Sequence, residues 1–374
     1  MIRVPFMRRR CGLTGCEESA AWVLDDGRCL CDRHAQLFRH GAKKEHIDMI
    51  TLEHDRLVFR FPQVHEDAEC SMGFQRTLRI PDNGKDFALP PGLGEFPLRH
   101  LDDHQGRAPE NWRRRGGVIM PMHQSEAMWV AFGGQRWQGG YPFAVKIATG
   151  KINAVSGEKW SEHLNRDPQD YVVIPDQPWL DGYCVEKGII RQFVAMPLGE
   201  GYSVEEQLTG SAEWGGMQIV VYPLKAEIYR KRGLDQKIDS VPMMDMGLAP
   251  GGRMRQEVYE DRFDLADWDQ RHASRCFVTI VNSVAWLAVT GERPPNRPPT
   301  AADYTKAGLP WFEYYGGDGK ALEGAETLAK AKSVLKTGAE KGEQPLPENE
   351  DTETPWVVKL GKKDAGRLVR EPSA

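Results

Sequence analysis

Four residues that zinc favours stand close together near the N-terminus: Cys11, Cys16, Cys31 and His34. The spacing is Cys-x4-Cys, fourteen intervening residues, then Cys-x2-His. Structural zinc takes four thiolate or imidazole ligands in a tetrahedron, and two close pairs joined by a longer arm can bring them to one point. Gly12 and Gly15 allow the first pair a tight turn. Four protein ligands leave no open coordination position, so this zinc would be structural rather than catalytic. Cys29 competes with Cys31 for the third position. Residues 1–10 hold no apolar core and carry Arg8-Arg9-Arg10, so no secretion leader is read there. In a reducing compartment a close cysteine cluster is expected to bind metal rather than to form disulfides.

The segment between the two pairs supports this reading. Ala20 to Leu24 forms a strand pattern, Asp26-Gly27 a turn, and the chain then returns. Ala35, Leu37 and Phe38 open a short helix behind His34. Over residues 9–40 this arrangement resembles a Cys3His zinc knuckle of the treble-clef type. The same region carries Arg28, Arg33, Arg39, Lys43 and Lys44. A solvated basic arm is favoured over nucleic-acid contact, because the chain as a whole carries a net charge of −5.

Other candidates for chemistry lie in the middle of the chain. Asp181 and Cys184 stand in a dense block, Gln177 to Cys184, and would serve as acid or base and nucleophile. No histidine lies near them in sequence, and a turn shaped by Asp181-Gly182, with Trp179 buried, is the favoured reading of the block. Glu205 and Glu206 follow a glycine-rich run, but Ser203 with Glu206 has capping-box spacing and is already explained by a helix start. Gly247 to Gln256, with Arg253 and Arg255, is an anion-binding candidate that lacks any nucleotide fingerprint. The acidic run Glu257, Glu260, Asp261, Asp264 and Asp267 reads as a solvated helix face. Cys276 opens an apolar strand and is assigned to the core, with His272 at the surface.

The elements that must position these groups are mainly strands. Glycine (38) and proline (25) are abundant, and together they favour short strands and turns over a helical bundle. Strand patterns occur at Arg56–Phe61, Phe143–Ile147, Ile152–Val155, Tyr171–Ile174, Ile189–Met196, Met217–Tyr222 and Cys276–Val281. A hairpin is expected from Thr77–Ile80 through Asn83-Gly84 to Lys85–Leu89. Met122–Phe132 reads as a helix ended by Gly133-Gly134, and Lys320–Lys336 as a lone amphipathic helix. Thr300 and Asp303 have capping-box spacing. Phe96–Arg115 reads as surface loop. The chain from Gly338 is polar and is expected to be mostly disordered, with Trp356-Val357-Val358 as a docking strand. No apolar run reaches the roughly 20 residues that a spanning helix needs, and mean hydropathy is −0.55. A soluble, cytoplasmic protein without membrane contact is expected.

These readings give an α+β, mainly β protein. Its body is an antiparallel β-sandwich or half-barrel with a few helices, preceded by a small zinc-binding module. The expected division is a zinc module over 1–45, a β-rich body over 46–315, and a helix with a charged tail over 316–374. The stretches IPDQPWLDGY, IRQFVAMPLGEGYSVEEQLTG, GGMQIVVYPLK and MGLAPGGRM resemble a family of uncharacterised bacterial and fungal proteins. That resemblance covers residues 76–315 and implies one inherited unit without bringing an activity. The first functional expectation is a non-enzymatic binding or scaffold protein that engages a protein partner or its own copies. The aromatic stretch from Trp311 to Tyr315 would be one contact face. The alternative is a hydrolase-like enzyme whose site gathers Asp181, Cys184, Glu206 and Arg253. Protein purified under reducing conditions without chelator should carry about one zinc per chain, measured by metal analysis, and Cys16→Ala should lose it. A metal-free wild-type preparation would sink the zinc assignment.

Overall fold

The computed structural model describes residues 50–133, 140–234, 256–315 and 320–361, together with three two-residue strands near the N-terminus. The chain divides after Met49 into two units. In the first, β1 (Ile2–Arg3), β2 (Trp22–Val23) and β3 (Cys29–Leu30) pair as a three-stranded antiparallel sheet. The β2–β3 pair corresponds to the strand, turn and return read between the cysteine pairs.

In the second unit the chain passes back and forth between two sheets. Strands β4 (Ile50–Glu53), β5 (Arg56–Arg60), β6 (Glu69–Thr77) and β7 (Gly92–Glu95) build the first sheet. The second begins with β8 (Arg99–His100) and β9 (Val118–Pro121). Strand β10 (Ala127–Gly133) returns to the first, and β11 (Phe143–Thr149), β12 (Ile152–Asn153) and β13 (Val172–Ile174) belong to the second. Next β14 (Trp179–Leu180), β15 (Gly182–Glu186) and β16 (Ile189–Val194) join the first, and β17 (Met217–Pro223) and β18 (Ser274–Val281) the second. The resulting orders are β15-β16-β10-β6-β5-β4 and β12-β11-β17-β18-β9-β8. Strands β7 and β14 flank the first path and β13 the second. Within these two sheets pairing is antiparallel except between β9 and β18. Among the described residues strand outweighs helix, 32% to 19%, which makes the body α+β and mainly β. The two sheets meet through Phe61 against Phe143, with ring centroids 5.7 Å apart. The hydroxyls of Thr149 and Tyr183, 2.8 Å apart, and the packing of Ile152 against Val185 join them further.

The expected helix over Met122–Phe132 is instead strand β10. Its apolar run, Ala127 to Phe132, fits either period, and tertiary pairing decides. Strand β6 offers seven register partners, from Thr77 opposite Ala127 to Ser71 opposite Gly133. The expected hairpin around Asn83-Gly84 does not form, because its flanks find other partners. Gln192 accepts from the Ile80 N–H at 2.9 Å and donates to the Leu78 carbonyl at 3.0 Å, while Leu89 and Phe312 exchange two backbone bonds of 2.7 and 2.8 Å. The region read as surface loop contains β8, a 3-10 turn (Leu101–His104) and helix α1 (Glu110–Arg115).

Helix α2 (Val204–Thr209) opens with the Ser203–Glu206 capping box, and its cap glycine, Gly210, has φ of 71°. Helices α3 (Ala226–Lys231) and α4 (Ser283–Thr290) follow. Asn282 caps α4 by accepting from the Ala285 N–H at 2.9 Å. Trp286 and Val289 of α4 pack on Leu101, Ala108, Ile119 and Val281. Helix α5 (Ala301–Lys306) has the Thr300–Asp303 capping box read from the sequence.

The tail corrects two further expectations. The lone helix is two, α6 (Glu326–Lys330) and α7 (Val334–Glu340), because the Ser333 hydroxyl caps the second from within. The polar chain beyond Gly338 is not a solvated string. Glu348 is buried against Arg297 and Ser125. Strand β19 (Trp311–Tyr315) pairs in parallel with β20 (Val357–Gly361), which includes the expected docking residues Val357 and Val358. The acidic run is not a helix face either. Asp261 is buried and accepts from the Tyr171 hydroxyl at 2.6 Å, the Trp268 indole at 2.9 Å and the Phe263 N–H at 2.8 Å. No described helix is long and apolar enough to cross a membrane.

Residues 256–261 lie outside the named strands and bury Gln256, Val258 and Asp261, and their backbone groups need partners. Glutamine side chains supply them. Gln177 donates to the carbonyls of Trp179 (3.0 Å) and Glu257 (3.2 Å) and accepts from the Tyr259 N–H (3.3 Å). Gln177→Met keeps the volume and removes all three bonds, so stability should fall by about 2–3 kcal/mol, read from urea denaturation. A loss below about 0.5 kcal/mol would show that these groups find partners without Gln177.

Candidate functional site

Of the residues first expected to carry chemistry, Asp181, Cys184 and Glu206 are each held by the fold itself. Asp181 is 1% exposed. Its carboxylate accepts from the Trp179 indole N–H, and its backbone N–H donates to Gln256 at 3.0 Å. With its second oxygen lacking a partner, burial pushes the carboxyl up to about 8, against the weaker pull of the Trp179 bond. Cys184 is buried on β15, and burial raises its thiol to about 11, so it stays protonated and inert at neutral pH. Burial acts to raise Glu206, but the Ser203 hydroxyl and the N–H groups of Gly201, Ser203 and Gly199 outweigh it and hold the carboxylate below its usual range. That side chain is consumed by the cap. Arg253, and the proposed zinc ligands Cys11, Cys16, Cys31 and His34, lie outside the described residues. Among the described residues no group of three or more His, Cys, Asp or Glu side chains converges as a metal site. Cys276 is core, as expected, and His272 is part-buried beside Asp269 at 2.8 Å.

The cavity lies elsewhere. A cleft of about 610 Å3 opens between the two sheets. The first sheet contributes Met128, Tyr183 and the run Arg191–Val194, and the second contributes Thr149, Met217 and the run Thr279–Val281. Helix α1 adds Trp112 and Arg115, α2 adds Glu205, α4 adds Ala285, and the tail closes one side with Leu328 and residues 331–334. None of Asp181, Cys184 and Glu206 lines it.

Three arginines stand on its wall. Arg115 donates to the Trp214 carbonyl at 2.7 Å and the Glu213 carbonyl at 2.6 Å, and it lies 5.1 Å from the Trp214 ring and 5.2 Å from Phe277. Arg191 donates to the Ala331 carbonyl. Arg79 is 3% exposed and donates to the Ser125 hydroxyl and, at 3.0 Å, to Asn349. Among the described residues none of the three makes a direct ion pair. Burial lowers Arg79 and Arg115 from the usual guanidinium range, but arginine stays charged at neutral pH. Of the three carboxylates on the same wall, Asp82 and Glu205 are already engaged by backbone groups, and Glu213 acts on Arg115 through its charge. Asp82 accepts from the Leu335 N–H at 3.2 Å, and Glu205 from the Gly215 N–H at 2.8 Å. Burial raises the Glu205 carboxyl against the pull of the Gly215 and Trp214 N–H groups and the Arg115 charge. The Thr279 hydroxyl, also on the wall, is buried without a hydrogen-bond partner.

At one end of the cleft stand His123 and Asn282. The His123 ring bridges the Ser283 hydroxyl (Nδ1, 3.1 Å) and the Pro295 carbonyl (Nε2, 2.8 Å). A smaller recess shares Arg79, His123 and Gln124 with the cleft and receives Glu348. The sequence singled out none of these arginines, nor His123 or Ser283. The available signal was the strand–Asn–Ser–helix junction. Its histidine partner is 160 residues away, which no local pattern reveals. Trp311, expected on an exposed aromatic face, is fully buried with Tyr304 and Leu89.

The Asp181 shift has a signed consequence. Unfolded, this carboxyl titrates near 3.8, and folded near 8. Between these values the folded chain holds a proton that the unfolded chain has released. Its contribution to stability is therefore full below about pH 4 and is lost as pH rises through 8. Asp181→Asn should flatten the stability–pH curve between pH 5 and 8 by roughly 1.4 kcal/mol per pH unit, measured by denaturant titration. Parallel wild-type and variant curves would contradict a buried proton at this position.

Comparison of the chain with family models, with curated proteins and with solved structures finds no match.

Proposed function

We propose that the second unit is a ligand-binding module, and that the cleft between its sheets takes a small anionic molecule with an apolar body. The observation that carries this is the charge state of the wall: Arg79, Arg115 and Arg191 bind carbonyls and neutral side chains and make no direct ion pair with a described residue. Asp82 and Glu348 act on Arg79 from a distance, and Glu205 and Glu213 on Arg115, without pairing with them; positive charge on a concave surface attracts an anion more strongly than the same charge in open water. Trp112, Trp214, Tyr183 and Phe193 on the same wall supply apolar area. The recess beside Arg79 supports the same chemistry, because a carboxylate of the chain itself, that of Glu348, is held there by Arg297 at 2.6 Å and Ser125 at 3.3 Å.

This reading replaces the expected protein-contact face at Trp311 with a concave small-molecule site. Structural zinc at Cys11, Cys16, Cys31 and His34 stays within the proposal as a staple for the first unit. Anilinonaphthalene sulfonate, an anion with an apolar body, serves as a probe. Its fluorescence titration should give saturable binding that weakens with salt. Arg115→Met and Arg191→Met should each weaken it roughly tenfold, about 1.4 kcal/mol, with circular dichroism unchanged. Binding equal in wild type and variants, and insensitive to salt, would overturn the anionic reading.

A further inference from the structure

We infer that Ser283 and His123 form a nucleophile–base pair that cleaves an ester carried by the cleft's ligand. This inference rests on the cleft reading for its substrate class and on separate geometry for its chemistry.

Nucleophilic serine needs three things: a base within hydrogen-bond reach, a group that fixes the base's tautomer, and access to a ligand space. Ser283 Oγ lies 3.1 Å from His123 Nδ1. His123 Nε2 lies 2.8 Å from the Pro295 carbonyl oxygen. A carbonyl only accepts, so in the neutral ring Nε2 carries the proton. Nδ1 is then the acceptor, and the serine hydroxyl must donate to it. This is the tautomer a general base requires, and the Pro295 carbonyl also stabilises the imidazolium that forms once Nδ1 takes the proton. His123 lines the cleft, as do Asn282 and Ala285 on either side of Ser283. Both side chains are only part-buried.

The fold holds the pair in place. Ser283 is the first residue of α4, fixed by the Asn282 cap below and by Trp286 packed into the core. His123 follows β9, where the Met122 N–H donates to the Val281 carbonyl at 2.9 Å and ties this segment to the end of β18. The N–H groups of Ser283 and Val284 begin the helix and have no intrahelical acceptor, which leaves two donors beside the nucleophile for a developing oxyanion.

The reaction balances with water as the only co-reactant. Ser283 Oγ adds to the ester carbonyl carbon while its proton passes to His123 Nδ1. Collapse of the tetrahedral adduct breaks the bond to the alcohol oxygen, which departs with that proton. Water then adds to the acyl-serine and gives a proton to His123. Ser283 Oγ leaves with it and the carboxylic acid is released. The arginine wall would hold an anionic group on the acyl or alcohol side, so the substrate class is an ester of a small, negatively charged, partly apolar compound.

The test uses the full chain, a fluorophosphonate probe read by intact mass, and a p-nitrophenyl ester of a dicarboxylic acid read by absorbance. Wild type should take one phosphonyl adduct and turn over the ester. Ser283→Ala should lose the adduct, and Ser283→Ala and His123→Gln should each slow turnover by on the order of a hundredfold, with unchanged denaturation midpoints. Wild type that takes no adduct, or Ser283→Ala that keeps the wild-type rate, overturns the pair. Anilinonaphthalene sulfonate binding, measured on the same samples, separates the two readings. An adduct without anion binding upholds the pair and removes only the substrate charge, and anion binding without an adduct leaves the cleft a binding site alone.

Discussion

Where buried backbone in this protein lacks a strand neighbour, amide side chains supply its partners. Gln177, Gln256 and Gln169 each pair through both ends of the amide with main-chain groups between residues 169 and 261. Gln169 donates to the carbonyls of Tyr171 (2.8 Å) and Tyr259 (3.1 Å) and accepts from the Asp261 N–H (2.8 Å). Gln256 accepts from the Asp181 N–H and donates to the Trp179 carbonyl, both at 3.0 Å. Gln192 does the same for residues 78–80. A side-chain amide presents one acceptor and two donors, so it can stand in for a strand neighbour wherever a segment enters the interior without one. A chain that changes sheet repeatedly makes many such entries, and each would otherwise bury orphaned N–H or C=O groups.

The same alternation creates the cleft. Strands β16 and β18 belong to different sheets, and the segments that cross between them leave a concave space rather than a closed seam. Its wall is lined by side chains whose polar ends are tied back to the main chain. Arg115 and Arg191 each spend hydrogen bonds on carbonyls of neighbouring segments, which fixes their position and leaves their charge without a direct counter-ion among the described residues. Position and charge are thereby set by different partners.

The most deeply buried ionisable groups serve structure. Lys146, 1% exposed on β11, is surrounded by Ser161, the His163 carbonyl, Asp170 and the ring of Trp160. Burial raises the Asp170 carboxyl against the pull of the Asn165 N–H and Lys146. Asp261 gathers three donors. Asp181 holds a proton in the folded state. These groups are closed off by their own partners, whereas the part-buried His123, bonded to Ser283, lines a space a molecule can enter. Accessibility, more than the size of a pKa shift, separates the two classes.

The sequence by itself determined what depends on a few consecutive residues. The strands at Arg56, Phe143, Ile189, Met217 and Cys276, the Ser203–Glu206 and Thr300–Asp303 capping boxes, and the burial of Cys276 follow from local periodicity and hydrogen-bond chemistry. The mainly β class follows from their sum. Tertiary structure decided whatever depended on partners far along the chain. It made Ala127–Gly133 a strand because β6 offered a register, and it drew the flanks of Asn83-Gly84 apart toward Gln192 and Phe312. It closed Asp181 and Cys184 into the interior and brought Ser283 to His123 across 160 residues. Short apolar runs and single polar residues carry no record of such partners, because the free energy that selects their role comes from contacts that exist only after the chain has folded.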